Sequence, residues 1–176
     1  NKTNGMEKPT THNNSQDFYH TPVLLNEVVE GLHIQPNGVY VDCTFGGGGH
    51  SKAILERLNE QGKLIAFDQD PDAEKNVPIN DKRFLFIPEN FRHIQRFLKW
   101  HQIFEVDGIL ADLGVSSHQI NEASRGFSTR FNGPLDMRMN PNLPRTAATI
   151  LNTYNEQQLQ QMFQNYGEVT NAKTLS

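Results

Sequence analysis

Val39-Tyr40-Val41-Asp42-Cys43-Thr44-Phe45-Gly46-Gly47-Gly48-Gly49-His50 is the stretch that decides the fold. Val39 to Asp42 reads as a buried strand, and an amphipathic helix from about His50 to Leu58 follows the glycines. Four successive glycines remove every Cβ where the backbone must turn sharply and lie close to something. The N-terminus of the following helix offers free N–H donors and partial positive charge, so a carboxylate or phosphate is the ligand expected there. A flexible linker is the alternative, but linkers rarely sit between a buried strand and a capped helix.

Outward from this unit the pattern repeats. Strands are expected at Leu64 to Asp68, Phe84 to Ile87 and Gly108 to Ala111. Asp70 and Pro71 open a short helix, and Phe91 to Ile103 form another whose Phe91, Ile94, Phe97 and Leu98 share a face. Upstream, Thr21 and Pro22 start a helix carrying Leu24, Leu25, Val28, Val29 and Leu32, which Gly31 and Pro36-Asn37-Gly38 help to end. Strands alternating with helices imply right-handed crossovers and a parallel sheet covered on both faces, an α/β Rossmann-like fold. Residues 1–17 are polar and read as a disordered extension.

After Asp112 the rhythm breaks. Residues 113–145 are rich in Gly, Ser, Asn, Pro and Arg, and are too long for an ordinary connection in a compact domain. Thr146 to Leu151 and Glu156 to Asn165 read as helices, with Asn155 as N-cap and Gly167 as terminator, and another helix begins near Asn171. No strand signal returns. Four strands make only part of a doubly wound sheet and leave the last one at an edge with an apolar side uncovered, so the sequence is expected to be incomplete.

Bulk properties narrow the function. A chain of 176 residues, 36% hydrophobic, suits one domain with a real core. Its net charge of -4 argues against holding nucleic acid by overall charge alone. Local basic stretches remain: Lys82 to His101, and Asn121 to Ala147 with Arg125, Arg130, Arg138 and Arg145. Each reads equally well as a solvated face with ion pairs. Apolar runs are strand-sized, which predicts a soluble protein with no membrane partner. The lone Cys43 makes neither an internal disulfide nor a thiolate zinc cage, and no leader pattern stands at the start, so a cytoplasmic location is expected.

Asp68 ends the second strand 22 residues after Gly46, where a carboxylate accepts hydrogen bonds from two ribose hydroxyls of an adenosine cofactor. A lone acid there is otherwise a helix cap, a role that Asp70 already fills. A nicotinamide dinucleotide is the natural competitor. Its G-x-G-x-x-G pattern fails at Ser51 when started at Gly46 and at Lys52 when started at Gly47, so the loop suits the methionine carboxylate of S-adenosylmethionine better than a pyrophosphate. Asp112 ends the fourth strand at the same edge. Methyl transfer to a base amine is helped by an oxygen acceptor on that amine, and Asp112 is the candidate, with Ser116 and Ser117 as weaker ones. A capping or cofactor-contacting carboxylate is the other reading of Asp112.

Five blocks then fit together: His20-Thr-Pro-Val-Leu-Leu25, Asp42-Cys-Thr-Phe-Gly-Gly-Gly-Gly-His50, Asp107-Gly-Ile-Leu-Ala-Asp-Leu-Gly-Val-Ser-Ser117, Arg125-Gly-Phe-Ser128 and Gly133-Pro-Leu-Asp-Met-Arg-Met139. With them the chain resembles the RsmH (MraW) family from about Phe18 onward. His118 departs from the pattern, standing where many members carry proline. The resemblance implies a class I methyltransferase sheet interrupted by a helical insertion. Residues 18–115 would be the first part of the S-adenosylmethionine-binding domain, and residues 116–176 the start of the insertion and substrate-recognition segment. It implies N4-methylation of a cytidine in the decoding region of 16S rRNA, with the assembled small ribosomal subunit as substrate.

Carried over by position, cofactor contacts fall on Gly48, Gly49, His50, Asp68, Phe91, Asp112 and Gln119, with Phe91 as an adenine-stacking wall. Arg125, Arg130, Arg138 and Arg145 are expected to dock rRNA phosphates. Methylation of another amine, and a noncatalytic role in RNA binding or ribosome assembly, stay open as alternatives, as does association into a homodimer.

Overall fold

The computed structural model describes residues 24–78 and 80–176. The expected extension at 1–17 and the Thr21 cap lie outside the described residues. Helix α1 (Leu25–Gly31) leads into β1 (Val39–Asp42), α2 (Gly49–Leu55), β2 (Lys63–Phe67), β3 (Phe84–Ile87), α3 (Ile94–Trp100) and β4 (Gly108–Leu110). All strand pairs are parallel, in the order β3-β2-β1-β4. Val39 is in register with Lys63, Leu64 with Phe84, and Tyr40 with Gly108.

Side chains alternate across the sheet, as the two-residue strand period requires. Tyr40, Leu64 and Leu110 join Ile54, Leu55 and Leu58 on one face, where α1 adds Val28 and the residue that caps its end, Leu32, packs beside it. Val41, Cys43, Ile65, Phe67 and Ile87 line the other face beneath Ile94, Phe97 and Leu98 of α3. Burial of each large side chain such as Ile54 or Leu64 contributes roughly 1.5 to 3 kcal/mol. The doubly covered parallel sheet expected from the alternation is therefore present. Strand order reverses beside β1, since β2 lies on one side and β4 on the other. A crevice opens at the carboxyl ends of such a pair, which is where open α/β sheets bind ligands.

Some boundaries differ from the expectation. β4 stops at Leu110, and β2 at Phe67, leaving Asp68 just past the strand. The helix expected over 91–103 begins as a 3-10 turn at Phe91–His93 and ends at Trp100. Gln102 takes φ +58, and Ile103 N–H reaches the Leu98 carbonyl at 2.8 Å while Gln102 N–H reaches Lys99 at 3.1 Å. That pairing is a Schellman stop, made here without glycine. Phe91 does not join the buried face of α3 and is 37% exposed. β4 is an edge strand, and its Ile109 is 53% exposed.

The segment after Asp112 is folded. It holds α4 (Ser117–Asn121) and a 3-10 turn at Ala123–Arg125, and then leads to α5 (Ala147–Thr153), α6 (Glu156–Gly167) and α7 (Ala172–Leu175). Asn155 caps α6 as expected, and Thr146, expected as the first residue of its helix, is instead the N-cap of α5. The terminator of α6 is Glu168 at φ +52, one residue beyond Gly167. Within the segment Met137 N–H bonds the Arg125 carbonyl at 3.0 Å. Gly126 follows at φ +72, and an added Cβ there would run into the Pro134 carbonyl, so glycine is required.

Candidate functional site

The glycine turn is held by two carboxylates. Asp42, fully buried at the end of β1, accepts Thr44 N–H at 3.0 Å and the Ser51 hydroxyl at 2.7 Å. Ser51 thus supplies a hydroxyl to Asp42 where a dinucleotide fingerprint needs its third glycine. Burial pushes the Asp42 pKa up, against the pull of those hydrogen bonds and of nearby His50. Asp68 accepts Gly46 N–H at 2.7 Å and Asp70 N–H at 2.8 Å. Gly48, at φ +77, caps α2, and a Cβ there would meet the Phe45 ring at 3.1 Å. The space beside Gly47 is open. His50 is buried, and its Nε2 has no hydrogen-bond partner among the described residues.

Asp68 keeps capacity for a ligand. An ionised carboxylate has about four acceptor positions, and two are used by backbone amides. Its pKa is raised by burial, with the Asp70 and Gly46 amides acting in the opposite direction. Asn90 ties the Phe91 turn to this loop: its Nδ2 donates to Gln69 Oε1 at 3.0 Å, and its Oδ1 accepts Arg92 N–H at 2.9 Å. The exposed Phe91 ring therefore starts its turn from a residue anchored next to Asp68.

Asp112 follows β4, and its N–H donates to the Thr44 hydroxyl at 2.8 Å. One threonine links the glycine turn to the exit of the fourth strand. The Asp112 side chain is exposed, and among the described residues no hydrogen bond reaches its carboxylate.

Gln119 is buried and committed on both sides. Its Oε1 accepts Ser116 N–H at 3.0 Å in a capping box, and its Nε2 donates to Asp70 at 2.7 Å. Any role toward a cofactor runs through Asp70 in this arrangement. Asp70 also caps its own turn by accepting Asp72 N–H at 3.1 Å, as expected.

The four arginines separate into two pairs. Arg125 is buried, donating to Asp70 at 2.7 Å and to the carbonyls of Arg138 and Met139 at 3.0 and 3.1 Å. Phosphate docking was expected of it, and in this structure its planar donor fork is engaged inside the protein. Arg138 grips Asp136 at 2.8 and 2.6 Å. Arg130 and Arg145 are exposed, with Arg130 lying 5.6 Å over the Phe131 ring. In the other basic stretch, Arg83 is also structural, bonded to Asp81 and to the carbonyls of Leu55 and Leu58.

Sequence reasoning missed Asp42, Thr44 and the second role of Asp70. The Ser116-x-x-Gln119 capping box was readable as a pattern. The partners of Asp70, 49 and 55 residues away, left no local signal.

The model of the MraW methylase family matches residues 17–176. The chain belongs to that family. A "Ribosomal RNA small subunit methyltransferase H" of Bacteroides thetaiotaomicron is 56% identical over 158 residues, covering 90% of this chain and 52% of the relative. A relative of the same name from Flavobacterium johnsoniae is 58% identical with the same coverage, and one from Amoebophilus asiaticus is 56% identical over 165 residues. The chain spans about half the length of the curated relatives it matches. For a member of the MraW methylase family, a parallel α/β sheet with a glycine turn after its first strand is the fold in common with the expectation. Among the described residues no helix is long and apolar enough to cross a membrane.

Proposed function

We propose that this chain carries the cofactor site of an S-adenosylmethionine-dependent methyltransferase that modifies the N4 amine of a cytidine in the decoding region of 16S rRNA. One observation carries the reading. The glycine turn, Asp68 and Asp112 all leave strands at one carboxyl edge, beside the reversal in strand order, and Thr44 ties the first of these to the last. Residues 18–115 form the first part of the cofactor domain on this reading, and residues 116–176 begin the substrate-recognition insertion.

The residues present fit the cofactor. The first-turn amides of α2 and the unpartnered His50 Nε2 suit an amino-acid carboxylate, and the open side of Gly47 leaves room for it. Asp68 accepts from ribose hydroxyls, and Phe91 offers a flat wall for adenine. S-adenosylmethionine, when bound, supplies a methyl group on a cationic sulfur. Asp112 accepts a hydrogen bond from the exocyclic amine, which draws the nitrogen lone pair out of conjugation with the ring and aligns it. Thr44 fixes the Asp112 backbone, and buried Asp42 fixes Thr44. Exposed Arg130 and Arg145 dock RNA phosphates of the small ribosomal subunit, in the cytoplasm.

The test is methyl transfer by the full-length protein from deuterium-labelled S-adenosylmethionine to unmodified small subunits, followed by nucleoside mass spectrometry. Labelled N4-methylcytidine is the expected product. Label on a different amine would replace the substrate assignment, and absence of label would favour a noncatalytic role.

A further inference from the structure

We infer that Arg125 is a positioning residue for the cofactor site, latching the 113–145 segment onto Asp70 so that cofactor affinity depends on the docking of that segment. The inference rests on the reading of Asp68 as the ribose acceptor. Asp70 is 6% exposed, and one of its oxygens takes both Gln119 Nε2 and Arg125 Nη1 at 2.7 Å. Arg125 Nη2 meanwhile holds the carbonyls of Arg138 and Met139. One guanidinium therefore ties the turn after β2 to two places in the segment. His118, the residue that departs from the family pattern, adds a 3.2 Å contact to Asp72 at the margin of the same cluster.

Asp70 transmits the connection. Its own N–H donates to Asp68 Oδ1, so the backbone that sets one ribose-facing oxygen belongs to the residue that Arg125 grips. Without Arg125, Asp70 is left as a buried carboxylate with Gln119 as its remaining side-chain donor. A buried charge stripped of its partner must gain water or move outward. Either response shifts the Asp68-Gln69-Asp70 turn. Coupling of this kind is reciprocal, so bound cofactor must in turn favour the docked segment.

The experiment uses the full-length protein and its Arg125→Met, Arg125→Lys and Asp70→Asn/Arg125→Met variants. S-adenosylmethionine affinity is measured by calorimetry, and amide exchange in residues 113–145 with and without cofactor. Arg125→Met is expected to weaken the cofactor by at least about fivefold, the low end of typical coupling between sites. Arg125→Lys should fall between it and the parent, since an ammonium cannot span a carboxylate and two carbonyls. The double variant, with no stranded charge, should recover part of the loss. Cofactor should slow exchange in 113–145 of the parent and not of Arg125→Met. Parent-like affinity in a folded Arg125→Met, or exchange in 113–145 indifferent to cofactor, would overturn the latch and leave the cofactor site standing. A parent that binds no S-adenosylmethionine would overturn both.

Discussion

In the sheet and the helix α2 that covers it, Tyr40, Val41, Ile54, Leu64, Ile65 and Phe67 are all at most 1% exposed, whereas residues 113–145 bury only Gln119 and Arg125. The sheet is ordered by apolar area spread over many side chains. The segment is ordered by a few directional bonds that converge on Asp70 and on the Asp136–Arg138 pair. Area burial is shared and cooperative, so its loss is felt by the whole domain. A polar latch is concentrated, so its loss is local, and a ligand placed beside it can feel the difference. On the proposed reading, a sheet edge formed by the first kind of order and closed by the second gives a rigid cofactor turn beside an adjustable substrate segment.

The largest expected effect comes from breaking the packing of α2 on the sheet. Ile54→Ala removes a side chain that is fully buried between α2 and the strands, and should cost about 2 to 5 kcal/mol of global stability. Denaturant unfolding measures it, and the loss should appear equally in signals from the sheet and from the 113–145 segment. A loss confined to one region would mean that the two are less connected than the cluster around Asp70 implies.

A smaller effect separates the two kinds of order by pH. Asp42 is pushed up by burial, so its ionisation opposes folding: that cost is absent below the ordinary carboxylate range and grows as pH rises through the raised folded value. Asp136 is held down, first by its Arg138 hydrogen bonds, so it contributes stability above the ordinary range that is lost as pH falls through the lowered folded value. Asp42→Asn should therefore gain on the parent as pH rises from 4 to 8. Asp136→Asn should trail the parent at neutral pH, by no more than about 1 kcal/mol for such a partly exposed pair, and converge with it in acid. Thermal melts across that range check both, and slopes of the same sign would refute the contrast.

The same contrast explains what the sequence made legible. Val39–Asp42 and Phe84–Ile87 stand where apolar runs between turn residues put them, and the caps at Asp70 and Asn155 were readable because the cap and its amide lie within three residues. Gln102 was not legible as a helix stop, since its left-handed backbone lacks the glycine that usually marks one. The internal partners of Arg125 were not legible for a deeper reason. A charged residue in a glycine- and serine-rich stretch reads as solvent-facing, and only the fold brings Asp70 to it across 55 residues. Asp68 and Asp112 were readable as acids just past the carboxyl ends of strands, whereas Thr44, whose bond to Asp112 spans 68 residues, was not legible.

Whether Asp68 at this sheet edge holds the ribose of S-adenosylmethionine is decided by calorimetric titration of the full-length protein and its Asp68→Ala variant with that cofactor. One binding site per chain is expected, with a loss of roughly 1 to 3 kcal/mol in the variant, about 5- to 150-fold in affinity, and the fold retained. Equal affinity in the two proteins would contradict it.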